Sequence, residues 1–194
     1  MPLRSTEQSW GALLRAFHWL VAVLILAQGA IGLSMVQMGL TPAKVRVFAL
    51  HKSIGLTILA LVLLRLAWRL AQRAPREVPM PAWQRAAARL SHFLLYVLIL
   101  ALPFSGWLFN SAANFPLEWF GLFHVPSLTR GLDPVLKAFA LRAHVVLFWV
   151  LVAVVAIHVA AALWHHYRQR DDVLRRMLPS PRKRNLFRRQ GVLP

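Results

Sequence analysis

The sequence predicts an all-α integral membrane protein built as a four-helix bundle, and three observations carry this prediction. The 194 residues are 58% hydrophobic, with a mean hydropathy of +0.54, which is typical of membrane chains rather than of soluble domains. Four apolar stretches are each long enough to cross a bilayer as a helix. The 23 Lys and Arg, against six Asp and Glu, flank those stretches. The net charge of +17 therefore indicates contact with anionic lipid and topology, not nucleic-acid binding.

The spans are predicted at residues 17–36, 47–70, 90–113 and 142–167. The first span is longer than a typical signal-peptide core and is expected to be retained. Residues 71–89 form a polar linker, in which prolines oppose helix. In the loop of residues 114–137, Trp119, Phe120 and Phe123 indicate a half-helix lying at the membrane interface. We expect one domain over residues 1–179 and a basic tail on anionic lipid over residues 180–194.

The basic residues also predict how the spans are oriented. Most of them lie in the N-terminus, the linker and the C-terminal tail. The other two connections and their flanks hold only a few, namely Lys44, Arg46, Lys52, Arg130, Lys137 and Arg142. Because positively charged loops stay on the cytoplasmic side, both termini are predicted to be cytoplasmic.

Histidines within the apolar spans are the candidate functional residues. His18, His51 and His92 lie near the starts of the first three spans, and His144 lies near the start of the fourth. His158 follows His144 by fourteen residues, which places both rings on one helix face, roughly 21 Å apart along the axis. Ionisable residues at membrane depth are costly and usually functional.

Orientation and depth suggest ligand pairs. His51 and His144 share the outer side, whereas His158 on the inner side can pair with either His18 or His92. Imidazole is a strong iron ligand, and ligation by two histidines favours electron transfer over oxygen binding. The pattern therefore predicts two haem irons, one above the other. The alternatives are packed polar histidines, a proton relay or a haem-free transporter, and the spacing is far too long for a compact zinc site.

Two compositional details complete this interpretation. The chain has no cysteine, which excludes disulfides, iron–sulfur clusters and c-type haem attachment. Gly29 and Gly32 share the face of His18, where glycine lets another surface approach closely. That surface is either a neighbouring helix or, at Gly29, a flat ring at the second depth.

The chain resembles the bacterial cytochrome b561 family, the four-span di-haem b-type cytochromes, and is similar to the cytochrome b subunits of hydrogenases and formate dehydrogenases. The segments that carry the resemblance are FHWLVAVLIL, LHKSIGLTILALVLLRLAWR, SHFLLYVLILALPFSGWL, RAHVVLFWVLVAVVAIHVAAALWHHY and the following DDVLRRMLP. The resemblance implies two haem b groups in a bacterial inner membrane, with His18 and His158 on the inner iron and His51 and His144 on the outer iron.

Within that family the chain looks most like the superoxide oxidase branch, which implies electron transfer from periplasmic superoxide to ubiquinone in the respiratory chain. His92, His165 and His166 lie at the inner end and are candidate quinone or propionate contacts. Lys52 and Arg142 flank the outer ligands and are candidate propionate contacts, although outer cations could also steer superoxide or dock a periplasmic redox protein. The alternative function is a non-enzymatic relay subunit for a periplasmic dehydrogenase, which the short outer loops make less favourable.

Overall fold

The computed structural model describes residues 3–7 and 9–178, which fold around four long helices. These are α1 (Ala12–Gln37), α2 (Pro42–Leu70), α3 (Ala82–Ala112) and α4 (Pro134–Trp164), and α4 continues into a π-helical turn at His165–Gln169. All four are long and apolar enough to cross a membrane, with mean hydropathies between 1.9 and 2.7. The predicted all-α, four-span architecture is confirmed. The expected tail at residues 180–194 lies outside the described residues.

All four helices begin earlier than the hydropathy pattern predicts, and local capping extends two of them, α2 and α4, beyond the apolar runs. Thr41 caps α2 by accepting the Lys44 N–H, and Asp133 caps α4 by accepting the Leu136 N–H. Proline in the first turn of each is compatible with a helix start. Helix α3 begins at Ala82, so the second half of the predicted linker of residues 71–89 is helical. This part of the linker is rich in alanine, which has a high helix propensity.

The prediction of an interfacial half-helix in the third connection was wrong. Residues Glu118–Trp119 (β1) and Phe123–His124 (β2) pair as a small antiparallel hairpin instead. Its turn needs left-handed backbone at Phe120 (φ 49°) and Gly121 (φ 71°), which a helix cannot include. The hairpin is fastened to α2 by Ser53, and the Trp119 Nε1–H donates to Thr57 Oγ1 at 3.1 Å.

The bundle has two ends, which we name by what they carry. The termini end holds the start of α1, the end of α2, the start of α3 and the end of α4; the hairpin end holds the opposite ends and the hairpin. Close backbone packing joins α3 to α4, α1 to α2 and α2 to α3. Midway between the ends, Val21, Ile58 and Val62 form a buried core with partly buried neighbours.

Polar contacts at the termini end hold residues 177–178 against α1 and hold the linker against α3. Arg15 donates to the Leu178 carbonyl, and the Trp19 Nε1–H donates to the Met177 carbonyl at 2.8 Å. In the linker, a hydrogen bond from Arg89 holds the pKa of the Glu77 carboxyl below its usual value. The last described segment is therefore held against the first helix.

Candidate functional site

A fourteen-residue spacing recurs in every helix and arranges the site as two layers. The pairs are His18 and Gly32 in α1, His51 and Arg65 in α2, His92 and Gly106 in α3, and His144 and His158 in α4. Because fourteen residues are nearly four helical turns, both members of a pair lie on one face. One layer, at the hairpin end, combines two histidines with two glycines; the other, at the termini end, combines three histidines with one arginine.

In the hairpin-end layer, His51 and His144 face each other. Their ring centroids are 6.2 Å apart, at an interplanar angle of 73°. A Cβ added to Gly32 would lie 3.3 Å from the His51 ring, and one added to Gly106 would lie 3.2 Å from the His144 ring. Glycine at both positions therefore lets each imidazole lie directly against the neighbouring helix.

The His144 ring is oriented by helix α3. Its Nδ1 lies 3.0 Å from the Leu102 carbonyl oxygen and 3.0 Å from Ser105 Oγ. A carbonyl can only accept, so this contact requires the proton on Nδ1 and leaves the lone pair on Nε2. In metal-binding histidines, a hydrogen bond from one ring nitrogen orients the ring so that the other nitrogen can bind the metal. The Nδ1 atom of His51 is buried without a hydrogen-bond partner in the part of the chain that is described.

The termini-end layer brings three histidines together. The centroid of the His158 ring lies 6.4 Å from that of His18 and 5.5 Å from that of His92. Both partners that depth allowed for His158 are thus adjacent to it. His18 and His158 are half-buried, whereas His92 keeps an exposed edge.

Arg65 completes the termini-end layer and was not among the candidate site residues of the sequence analysis. Its guanidinium lies over the Tyr96 ring at 5.5 Å and is close enough to interact electrostatically with His18, His92 and His158. The fourteen-residue spacing from His51 was the sequence signal that would have placed it in this layer.

Beyond α4, the π-helical turn positions two more of the predicted residues. His165 Nδ1 lies 2.5 Å from Asp171 Oδ2, and both side chains are largely buried, at 13% and 17% exposed. The left-handed backbone at Arg170 (φ 55°) turns Asp171 back toward His165. The His166 ring packs edge-on against Tyr167, and its Nδ1 is buried without a partner among the described residues. Asp171 is a site residue that sequence analysis missed.

At the hairpin end, Lys52 follows His51 and Arg142 lies two residues before His144, and these two cations differ in their contacts. Lys52 Nζ donates to Asn110 Oδ1 at 3.2 Å and to the Pro116 carbonyl at 3.0 Å, beside a shallow pocket of about 340 Å³. Arg142 lies on the exposed face of α4. A Cβ added to Gly29 would lie 3.4 Å from the Phe148 ring, so a side chain of α4 packs close to this glycine.

Both layers fit a metal held between two imidazoles. Bonds from imidazole nitrogen to a metal are about 2 Å long, so two rings on opposite sides of one ion have centroids about 6 Å apart. The observed separations of 6.2 and 6.4 Å agree with that value. If the metal were a haem iron, each pair of histidines would hold it, and the haem would supply one-electron transfer.

Comparison with known proteins connects this geometry to a family. The family described as prokaryotic cytochrome b561 matches residues 9–180. Cytochrome b561 homolog 2 of Escherichia coli (strain K12) is 35% identical over 183 residues, covering 92% of this chain and 95% of its own length. The probable superoxide oxidase CybB of Yersinia pestis is 30% identical over 182 residues, covering 91% of this chain and 99% of its own length.

The family assignment agrees with the resemblance found in the sequence and with the four apolar helices. It implies a b-type haem and a place in the bacterial inner membrane as a multi-pass protein. Two histidine layers along the spans are the kind of site that such electron transfer requires. The chain therefore belongs to the prokaryotic cytochrome b561 family of electron-transferring membrane proteins.

Proposed function

We propose that this protein is a di-haem cytochrome b that carries electrons across the inner membrane, from superoxide at the periplasmic face to ubiquinone at the cytoplasmic face. The observation that carries the proposal is the pair of facing imidazoles in each of two layers, 6.2 Å apart for His51–His144 and 6.4 Å apart for His18–His158. Each pair would hold one haem b by both axial positions. A haem so held supplies a one-electron carrier that does not bind oxygen.

The protein's contribution is to fix these rings before the cofactor binds. The Leu102 carbonyl holds His144 so that its Nε2 lone pair is free, and Gln28 ties α1 to the backbone of His51 through a 2.5 Å hydrogen bond. Gly32 and Gly106 let the two rings lie close to the neighbouring helices. For the termini-end layer, membership of the family favours His18 as the partner of His158 and leaves His92 beside them.

At the periplasmic face the proposed substrate is a small anion. Lys52 and the other cations of the hairpin end, Lys44, Arg46, Arg130, Lys137 and Arg142, give that end a positive field that would steer superoxide toward His51 and His144. Two superoxide anions each lose one electron and become dioxygen. The relative from Yersinia pestis named a probable superoxide oxidase supports this choice of donor.

At the cytoplasmic face the proposed acceptor is ubiquinone, which takes up those two electrons and two protons to become the quinol. We assign proton delivery to the His165–Asp171 pair, because Asp171 contacts the His165 ring and can orient it. His92 offers an exposed edge to a molecule that arrives from the lipid, and His166, the other candidate quinone contact, lies in the same π-helical turn as His165.

A relay function is the second candidate, because the hairpin end exposes a cluster of apolar side chains that a periplasmic redox protein could cover. The cluster consists of Phe120, Leu122, Phe123 and Leu128. In that case the donor would be a protein and superoxide would not be a substrate.

Haem binding is tested first, by spectroscopy on protein purified after haem-replete expression. We expect a reduced-minus-oxidised b-type spectrum and about two haems per chain, as two pairs of axial ligands require. Protein that folds and carries no haem would contradict the proposal.

The choice of donor is tested separately, with purified haem-loaded protein in the presence of ubiquinone. Superoxide generated in solution should reduce the quinone faster than in a protein-free control. A rate equal to that control, with both haems present, would refute the superoxide oxidase function and leave the relay.

A further inference from the structure

Arg65 is a positive charge placed inside the membrane-spanning part of the bundle. It follows His51 by fourteen residues, is half-buried, and has its Nε atom sealed from solvent without a hydrogen-bond partner in the described part of the chain. The Tyr96 ring covers the guanidinium at 5.5 Å. A charged side chain at this position within a predicted span is costly unless it is partnered.

No Asp or Glu of the described residues is shown to pair with this arginine, because all six acidic side chains have other partners. Glu7 pairs with Arg76, and Glu77 pairs with Arg85 and Arg89. Glu118 contacts His124, and Asp133 caps α4. Asp171 binds His165, and Asp172 lies near Arg175.

A guanidinium that stays charged at membrane depth requires an anionic partner or an escape to the head groups. Arg69, one turn nearer the termini end, takes the second course, because its guanidinium lies over the Trp10 ring at 4.3 Å. Arg65 instead lies against the Tyr96 ring and is close enough to interact electrostatically with the three histidines of its layer. Its planar fork of N–H donors matches the two oxygens of a carboxylate.

We propose that Arg65 binds a propionate carboxylate of the haem held in the termini-end layer. This inference rests on the proposed haem binding. A fixed positive charge beside a haem favours its reduced form, since reduction adds a negative charge. Arg65 would therefore hold the inner haem at a higher potential than it would otherwise have and favour electron flow toward the cytoplasmic face.

The test compares Arg65→Gln with Arg69→Gln, which removes the same charge one turn away. Redox titration of the purified proteins should show one of two haems shifted to lower potential in Arg65→Gln, with both haems unchanged in Arg69→Gln. The variant Arg65→Lys keeps the charge without the fork. Infrared redox-difference spectra, recorded with haem carrying ¹³C-labelled propionates, should show a displaced carboxylate band in Arg65→Lys.

Each outcome decides the matter. If Arg65→Gln does not accumulate as folded protein, the labelled carboxylate band in Arg65→Lys is decisive. A band unchanged in Arg65→Lys, or potentials unchanged in Arg65→Gln, would overturn the role of Arg65 while leaving the haem sites intact. A parent protein that carries no haem would instead refute the proposed function.

Discussion

At the scale of single residues, the two layers differ in what accompanies the histidines. Glycine stands beside the rings at the hairpin end, so each ring lies against backbone, whereas arginine and a third histidine occupy the equivalent positions at the termini end. The hairpin-end layer is therefore narrow and uncharged, and the termini-end layer is polar and carries a cation. The hairpin-end layer therefore suits an electron carrier alone, whereas the termini-end layer suits an electron carrier that lies near groups able to transfer protons.

The substitution Gly106→Ala tests the close approach in the hairpin-end layer. The new Cβ would lie 3.2 Å from the His144 ring, so the ring must shift by a few tenths of an ångström, which disturbs its hydrogen bond to Leu102. We expect haem content to fall from about two per chain toward about one, because one axial ligand is misplaced. The haem-to-protein ratio measures this.

The matched control for that change is Gly29→Ala, also in a helix interior. Its Cβ would lie 3.4 Å from Phe148, which is an ordinary contact. Full haem content is expected in this control. If Gly106→Ala also retains both haems, the close approach of glycine to His144 has no role in ligand placement.

At the scale of secondary-structure elements, the hairpin is a part of the bundle and not a surface feature of the lipid interface. The hydroxyl of Ser53, a buried residue of α2, donates to the Ala49 carbonyl at 3.0 Å and accepts the Phe120 N–H at 2.9 Å. These hydrogen bonds hold the turn, with its left-handed backbone, beside the hairpin-end layer.

Removing that hydroxyl with Ser53→Ala should loosen the hairpin. The Phe120 N–H would lose its acceptor, and an unsatisfied buried donor costs about 1–3 kcal/mol. Thermal unfolding in detergent should show that loss, together with faster proteolysis near Gly121. Ser34→Ala is the control, since Ser34 bonds only within its own helix and is exposed. Equal stability of both variants would contradict this role of Ser53.

The π-helical turn after α4 is the second element that bears on function, since such turns are frequent at functional sites. Its effect is to join His165 and Asp171, which sequence alone shows only as neighbours in a basic segment. Two consecutive aspartates follow the turn, and only the first faces the histidine.

Asp171→Asn should therefore slow quinone reduction while leaving the haems bound. A positioned acid or base contributes about 10²–10⁴-fold to proton transfer, so a loss of at least about tenfold is expected. Stopped-flow reoxidation of the reduced protein by quinone measures it. Asp172→Asn removes the same charge from an exposed residue paired with Arg175 and should leave the rate unchanged. Equal rates in the two variants would exclude Asp171 from proton delivery.

At the scale of the whole molecule, the function proposed depends on which end faces the cytoplasm. The termini end carries most of the basic residues of the chain, and the hairpin end carries few. That asymmetry predicts that the termini end, with its His165–Asp171 pair, faces the cytoplasm.

The absence of cysteine allows this orientation to be measured with single cysteines. Leu40→Cys lies between α1 and α2 at a position that is 96% exposed, and Ala74→Cys lies in the exposed linker at the termini end. A membrane-impermeant maleimide should label Leu40→Cys in spheroplasts and label Ala74→Cys only after permeabilisation. The reverse pattern would place both termini in the periplasm.

Much of this protein is predictable from its sequence, because the physics involved is local. Apolar length determines the spans, and the family-level resemblance follows from histidines at set positions within them. The helix starts were missed because capping by Thr41 and Asp133 acts outside the apolar runs. The hairpin was missed because aromatic residues at an interface fit a helix or a turn equally well until backbone angles are known.

Sequence by itself determined the four helices, the membrane and the two depths at which histidines lie, since each depends only on hydropathy and helical period. Only the tertiary structure decided which groups meet across helices. It joined Asp171 to His165, set Leu102 against His144 and left Arg65 among three histidines without a carboxylate. Spacing along one helix specifies a face and a depth, whereas the partner on another helix depends on how the helices pack.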